Sequence, residues 1–143
     1  MTVKQISVFL ENKPGKLADF TDILSENNID MRAMSLAEAA DFGIVRIIVD
    51  DVYNASTVIK EAGYIFSITK VLAIEMPDQP GALSKIIRQL GNNDINLEYM
   101  YAFTSPKKNS AFMILRVQDN EKAIEVLGKN GIRPVCHDDL VEM

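Results

Sequence analysis

The chain has 143 residues, of which 48% are apolar and 24% charged, a balance typical of globular proteins and not of disordered or fibrous chains. Fifteen Lys and Arg against twenty Asp and Glu give a net charge of −5, which argues against nucleic acid and anionic lipid because clustered Lys and Arg bind phosphate backbones. The longest apolar run is about five residues, far below the ~20 that span a bilayer, so we expect no membrane segment.

The first elements are predicted from hydrophobic periodicity. Apolar side chains alternate along residues 6–10, which indicates a strand, and Pro14-Gly15 then marks a turn. From Leu17 to Leu24 apolar residues recur at helical spacing. An extended segment is then predicted over residues 29–36 and a strand over residues 44–49. A second helix, over residues 58–62, is predicted to end at Gly63, and a last strand follows over residues 64–68.

The chain then repeats itself. A shift of 66 residues gives six identities in the eighteen positions from Pro14 to Met31, where about one is expected by chance. Later in the unit the shift becomes 68, and we assign the two added residues to the polar turn 105–109, which includes Pro106, because insertions settle in exposed turns. The repeated strands and helices are predicted at residues 72–76, 83–90, 95–103, 111–117, 122–129 and 132–136.

Both units follow the order βαββαβ, the ferredoxin-like arrangement. The predicted fold class is therefore α+β, with two ferredoxin-like units in tandem, residues 1–70 and 71–143, antiparallel sheets packed side by side and helices on one face. Residues 66–74 contain no Pro or Gly. We therefore expect the two sheets to join or abut.

The sheet face opposite the helices is predicted to be mostly apolar. An open sheet facing water usually alternates apolar with polar residues, so a second copy of the chain is one expected cover. The other interpretation is that a few large side chains are tolerated on a wet sheet. The residues assigned to this outer face are Ile44, Arg46 and Ile48 in the first unit and Phe112, Ile114 and Arg116 in the second.

No catalytic or metal-binding group is evident. The chain has one histidine, no glycine-rich phosphate loop and no Cys-x-x-Cys, so we expect neither an enzyme nor a cofactor or metal site. Cys136 and His137 are predicted to point to opposite faces of an extended segment, as a buried thiol and a surface imidazole. The single cysteine and the absence of a signal-like apolar run at the amino terminus indicate a cytoplasmic protein.

The turns at the start of the first helix of each unit are the candidate binding sites. A helix amino terminus attracts a carboxylate, glycine lets a ligand approach the backbone, and Asn12 offers both a donor and an acceptor to an amino acid. The alternative is ordinary turn and capping chemistry.

With the repeat and these turns taken together, the sequence resembles tandem ACT domains over nearly its whole length. The features that carry the resemblance are Asn or Asp, any residue and Pro-Gly before the helix, then Asn-Asn-Ile-Asp-Met or Asn-Asp-Ile-Asn-Leu after it. It is similar in particular to small stand-alone proteins made of two such domains. The resemblance implies regulation by a small ligand, commonly an amino acid, bound at the interface between two domains.

In serine-sensing relatives, the Asn before Pro-Gly and an Asn eighteen residues later from the partnering domain hold the ligand. The resemblance therefore pairs Asn12 with Asn96, a neutral site suited to a zwitterion, and Asp78 with Asp30. The two carboxylates of the second pair repel a ligand carboxylate, so that site suits only an ammonium group or cation, or stays empty. We expect one good amino-acid site per chain. Leu10 stands where the serine sensors carry histidine, and with the apolar neighbours Met31 and Met34 it favours a ligand less polar than serine. The residues assigned to ligand binding are Asn12, Lys13, Pro14, Gly15, Asp30, Met31, Asp78, Gln79, Pro80, Gly81, Asn96 and Leu97.

Two functions remain open at this point. In the first, the protein is an allosteric sensor, expected as a homodimer or larger homo-oligomer, whose free amino acid ligand modulates its assembly or a metabolic enzyme. In the second, it is a ligand-free regulatory or scaffold subunit. The first strand also looks like that of the small subunits of acetolactate synthase, which keeps an enzyme partner plausible.

Overall fold

The computed structural model describes residues 1–103, 105 and 107–143. The chain divides into two compact units, one of residues 4–69 and another of residues 70–143 together with residues 1–3. Pro106, in the predicted insertion, lies outside the described residues. No helix in the described part of the chain is long and apolar enough to cross a membrane.

The first unit has the predicted βαββαβ order. Its strands neighbour one another in the order β2-β3-β1-β4, and β3 is antiparallel to both β1 and β2. The helices end at left-handed or irregular residues such as Gly63, whose φ is +87°. The elements are β1 (Val3–Glu11), α1 (Lys16–Glu26), β2 (Met31–Ala39), β3 (Phe42–Val49), α2 (Val52–Glu61) and β4 (Phe66–Pro77), which begins in this unit.

The second unit repeats this topology. Its strand order is β5-β6-β4-β7, and neighbouring strands are antiparallel. These four strands correspond in turn to β2, β3, β1 and β4 of the first unit, so the strand order is the same. The fold class is therefore α+β with two ferredoxin-like units, as predicted. The elements after β4 are α3 (Ala82–Asn92), β5 (Leu97–Phe103), β6 (Ser110–Val117), α4 (Asn120–Lys129), β7 (Pro134–Val135) and α5 (His137–Glu142).

Strand alternation places each unit's core between its sheet and its helices. In β1 the side chains of Ile6, Val8 and Leu10 are buried whereas Phe9 is 43% exposed, because successive side chains of a strand point to opposite faces. These buried residues pack with Phe20 of α1 and the equivalent face of β3. A second cluster in the other unit is built in the same way from β4, β6, α3 and α4.

Two segments differ from the prediction. Residues 64–68 and 72–76 were expected as two strands, but β4 is continuous over Phe66–Pro77, since no Pro or Gly interrupts it. The last predicted strand is only Pro134–Val135, and Cys136 is the N-cap residue of α5, a helix that the periodicity did not predict. Cys136 and His137 are both half-buried, so the expected contrast between a buried thiol and a surface imidazole is wrong.

Three of the six side chains assigned to the outer sheet face are buried within the chain, and the other three are half-buried. Ile48, Phe112 and Ile114 are at most 1% exposed. Phe112 packs against Phe103 with ring centroids 5.0 Å apart, at the position directly across the strand pair. These side chains therefore give no argument for a second copy, and homo-oligomer formation stays a proposal.

Candidate functional site

The turn between β1 and α1 is tied to the turn between β2 and β3 by two hydrogen bonds from Asn12. Its backbone N–H donates to the carbonyl of Asp41 at 3.0 Å, and its side-chain Nδ2 donates to the carbonyl of Ala40 at 3.1 Å. Ala40 itself has a left-handed φ of +58°. Asn12 thus has a structural role in addition to the binding role predicted for it.

The start of α1 leaves its first backbone donors without a side-chain cap. Gly15 occupies the N-cap position with φ +86°, a conformation that L side chains rarely adopt. A Cβ at this position would meet open space, so the backbone is accessible to a ligand. Since the first N–H groups of a helix lack intrahelical acceptors, this end of α1 favours a carboxylate.

Beside this turn lies a cavity of about 270 Å³. Of the predicted ligand residues, the structure brings Asn12 and Lys13 to its wall, whereas Pro14 and Gly15 form the turn behind them. Leu36, which is 52% exposed, lies on the opposite wall. The described residues that line the cavity are Leu10, Glu11, Asn12, Lys13, Leu17, Leu36, Ala37, Glu38 and Gly43.

The wall contributed by β2 and β3 was not predicted from the sequence. A Cβ added to Gly43 would lie 3.3 Å from Leu36 Cδ1 and 3.5 Å from the carbonyl oxygen of Ala37, so glycine allows the hairpin to fold closely here. The pairing of β2 with β3 places Leu36 opposite Val45 on the helix-facing side of the sheet. A prediction of this wall from the sequence would have needed the register of these two strands.

The rim of the cavity carries compensating charges. Lys13 Nζ lies 3.0 Å from Glu11 Oε2, and the hydrogen bond from Lys13, with the charge of Lys16, lowers the pKa of Glu11. Glu38 of β2 adds a second carboxylate to the lining of this cavity. The arrangement can therefore face the two charged ends of a zwitterion with a helix amino terminus and a carboxylate, while leucine side chains offer an apolar surface.

Asp30 has a cationic neighbour that the sequence-based prediction left out. Its Oδ2 lies 3.2 Å from Arg32 Nη1, and its backbone N–H donates to Asp50 Oδ1 at 3.1 Å. The carboxylate is thus paired with a residue of β2, close to Met31, which begins the strand. The prediction that Asp30 repels a ligand carboxylate did not include the charge of Arg32.

The second unit repeats the turn with different side chains. The backbone N–H of Asp78 donates to Asn109 at 3.0 Å, as Asn12 does to Asp41. A carboxylate has no N–H to donate, so the side-chain tether of Asn12 has no counterpart here. Pro80 and Gly81 precede α3, with Gly81 at φ +86°.

The other predicted residues of this unit lie in two places, with Gln79 inside that turn and Asn96 and Leu97 around the start of β5. Gln79 lines a cavity between α3 and α4. Asn96 is exposed just before β5, and Leu97 is half-buried at the start of that strand, opposite Val117. The pairing of Asn12 with Asn96 and of Asp78 with Asp30 stays a prediction.

A wider cavity of about 760 Å³ lies near the end of β4. Its charged lining includes Glu75, Arg133, Asp139 and Glu142, an acidic excess that disfavours a carboxylate ligand. The hydrogen bonds from Lys107 and Ser110 lower the pKa of Glu75. Among the residues that the structure describes, no three His, Cys, Asp or Glu side chains are grouped so as to hold a metal ion.

Comparison with known proteins places these features in a family. The family model described as ACT domain pair matches residues 1–143. A crystal structure of protein BT0572 from Bacteroides thetaiotaomicron is 38% identical, with a TM-score of 0.92 over 100% of this chain and 98% of that chain. Comparison with curated proteins gives no match.

Two further solved structures share the fold at low identity. The regulatory subunit of aspartate kinase from Thermus thermophilus, in its ligand-free form, is 13% identical with a TM-score of 0.64 over 88% of this chain and 90% of that chain. A structure of aspartokinase alpha and beta subunits is 19% identical with a TM-score of 0.60 over the same shares. At these identities the likeness concerns the fold alone.

Proposed function

Because the chain belongs to the ACT domain pair family, whose fold is regulatory, we propose that it senses a free amino acid and thereby modulates an enzyme of amino-acid metabolism or its own assembly. The observation that carries the proposal is the cavity of about 270 Å³ beside the uncapped start of α1. The structural neighbour from Thermus thermophilus, which is named as the regulatory subunit of aspartate kinase, supports a regulatory role of this kind.

The cavity's chemistry supports a ligand with an aliphatic side chain. Ligand sites for drug-sized molecules measure about 300–1,000 Å³, so this volume suits a single amino acid. We place the ligand carboxylate at the start of α1, its ammonium toward Glu38, and its side chain against Leu10, Leu17 and Leu36. Serine would leave these three leucines in contact with a hydroxyl, which disfavours it.

A thermal-shift screen of the twenty amino acids at millimolar concentration tests the sensor function. A ligand at about 100 times its dissociation constant adds ~2.7 kcal/mol to the free energy of unfolding, which corresponds to several degrees in Tm. We expect a selective shift by one or a few aliphatic amino acids. A flat screen would contradict the proposal and favour the ligand-free subunit.

Titration calorimetry of two matched variants then tests the site. Asn12→Ala removes an amide that donates to Ala40, whereas Asn27→Ala removes an exposed amide of the same unit that donates to the carbonyl of Ile23 at 2.8 Å. Each variant loses one hydrogen bond of similar type. We expect only Asn12→Ala to lose amino-acid binding, and equal affinities in the two variants would refute the site.

The remaining predicted residues have tests of their own. Asn96→Ala should also abolish binding if this residue completes the Asn12 site. Asp78→Asn should raise the stoichiometry above one amino-acid ligand per chain, and an unchanged stoichiometry would contradict the assignment of Asp78 and Asp30 to a second site whose carboxylates repel a ligand carboxylate. Light scattering with and without ligand measures the proposed homodimer and its response.

A specific observation favours the ligand-free subunit as the second candidate. The amide of Asn12 already bonds to Ala40, so the residue has a purely structural reason to be present. In that case Asn12→Ala lowers stability but leaves a metabolic enzyme partner bound. Copurification of a stoichiometric partner with both the parent protein and the variant, together with a flat amino-acid screen, would support this alternative.

A further inference from the structure

The cavity between α3 and α4 of the second unit has a volume of about 360 Å³. It faces the helices of that unit and has no residue in common with the β1–α1 cavity. Only Gln79 among the predicted ligand residues contributes to it. Its described lining residues are Pro77, Gln79, Ala82, Lys85, Ile86, Gln89, Leu127, Asn130, Gly131 and Ile132.

The repeat explains why there is space at this position. The residues of the first unit equivalent to Ile86 and Ile132 are Phe20 and Tyr64, by the shifts of 66 and 68 residues. Their rings meet edge to face with centroids 5.3 Å apart and an interplanar angle of 82°. Two aromatic rings fill the groove of the first unit, whereas two branched aliphatic side chains occupy less of the matching groove in the second.

The charge at the groove also differs between the two units. Lys85 is exposed and is the only charged side chain among the described residues that line the cavity. It forms no ion pair with any residue that the structure describes. The equivalent residue of the first unit is Asp19, whose negative charge helps to raise the pKa of Tyr64. The replacement of acid by base converts this edge into one that attracts an anion.

The lining has an apolar floor and a polar rim. Ala82, Ile86 and Leu127 are at most 7% exposed, while the exposed Gln79 and Lys85 and the half-buried Gln89 add polar side chains to the lining. No Asp or Glu is among the described lining residues, so an ammonium group would find no charged partner. This chemistry fits a carboxylate on a short aliphatic body and disfavours a zwitterion.

We propose that the α3–α4 cavity binds a small aliphatic monocarboxylate that lacks an ammonium group, with its chain on Ile86 and Leu127 and its carboxylate at Lys85. This site is independent of the amino-acid site proposed at the β1–α1 turn. The protein would thus respond separately to an amino acid and to a carboxylic acid without the amino group.

The test measures binding of 4-methylpentanoate to the full chain by titration calorimetry and ligand-observed NMR. Leucine and 4-methylpentan-1-ol serve as probes that add an ammonium group or lack the carboxylate. We expect the carboxylate to bind at least tenfold more tightly at this site than either probe. Lack of carboxylate binding at millimolar concentration, or equal binding of the alcohol, would overturn the proposal.

Two variants locate the binding. Ile86→Phe combined with Ile132→Tyr rebuilds the aromatic pair that the first unit accommodates, and we expect it to abolish carboxylate binding. Lys85→Asp changes only an exposed side chain and should weaken binding at least tenfold, while the control Lys122→Asp, at an exposed position of α4, should not. Unchanged affinity in Lys85→Asp would refute the site even if the double variant folds poorly.

The amino-acid screen on the same variants separates this site from the proposed function. Amino-acid binding at the β1–α1 turn should persist in the Lys85→Asp and Ile86→Phe/Ile132→Tyr proteins. A protein that binds the carboxylate but no amino acid refutes the proposed function alone, and the reverse result refutes the inference alone.

Discussion

Truncation of Phe20 tests whether the aromatic pair fills the first unit's helix groove as described. Phe20 is fully buried, and its ring contacts Tyr64 edge to face at 5.3 Å. Phe→Ala substitutions in protein cores cost about 3–5 kcal/mol, from lost transfer free energy and the cavity that remains. We expect Phe20→Ala to cost about 4 kcal/mol, of which the ring pair accounts for about 0.5–1.5 kcal/mol.

Urea unfolding measures this cost, with Ile86→Ala as the matched substitution in the second unit. Ile86 is 2% exposed but has no aromatic partner at the equivalent position and already borders a cavity. Because Ile→Ala removes fewer atoms, we expect a cost near the lower end of about 2–5 kcal/mol. A cost below about 1 kcal/mol for Phe20→Ala would show that the groove is not packed as the structure has it.

Tyr64 supplies a second measurement on the same variant. Burial is the larger cause that raises the pKa of Tyr64 from its ordinary value of 10.0, and the charge of Asp19 adds to it. Loss of the neighbouring ring exposes the phenol, so its pKa should fall toward the ordinary value. The ultraviolet absorbance of ionised tyrosine reports the change, with Tyr64→Phe identifying the signal. An unchanged titration would refute the packing argument independently of stability.

Three further predictions concern backbone strain and pH. Ala40→Gly should raise stability by about 1 kcal/mol and increase Tm, because left-handed φ costs non-glycine residues about 1–2 kcal/mol; an unchanged or lower Tm would contradict this. Gly81→Ala at φ +86° should lower stability by about 1–2 kcal/mol, whereas Gly128→Ala inside α4, where a Cβ meets open space, should raise it by about 0.5–1 kcal/mol. Because the pKa of Glu75 is lowered below 4.5, chiefly by the hydrogen bond from Lys107, its contribution is present above pH 4.5 and is lost as pH falls through the folded-state pKa. Glu75→Gln should therefore flatten the acid limb of stability measured by urea unfolding, and an unchanged slope would refute the role of this carboxylate.

Local rules were sufficient to predict most of the fold. Alternation along residues 6–10 identified the buried face of β1, and the helical spacing that begins at Leu17 identified α1. The repeat then transferred these assignments to the second unit, where α3 has the same length as α1. Pro-Gly before each helix correctly marked the turn, because glycine readily adopts the left-handed conformation seen at Gly15 and Gly81.

The features that were missed depend on information that is not local. Leu36 and Glu38 reach the β1–α1 cavity through the pairing of β2 with β3, which the sequence does not fix within one residue. A one-residue shift would turn both side chains to the other face. The ion pair of Arg32 with Asp30 was not predicted because the resemblance assigns a role to Asp30 and none to Arg32. The six-residue helix α5 is too short for helical periodicity to establish.

The two units share a backbone and differ in the side chains that a ligand would contact. Both first turns make the same backbone hydrogen bond at 3.0 Å, from Asn12 to Asp41 and from Asp78 to Asn109. The two turns therefore share their backbone geometry, whereas their side chains differ. By the shift of 66 residues, the apolar Phe9 of the first unit is equivalent to the ion-paired Glu75 of the second. Asn12 is equivalent to Asp78 in the same way.

This divergence argues against treating the units as two copies of one binding site. A single ligand chemistry would favour the same charge at equivalent positions, yet Asp19 and Lys85 are opposite in sign and the grooves beside them are filled in one unit and open in the other. Since specificity is a difference of affinities set by such side chains, we expect the first unit to select a zwitterion at its β1–α1 turn and the second an anion between its helices. Competition between the two ligands would contradict that division, whereas simultaneous saturation is the result it requires.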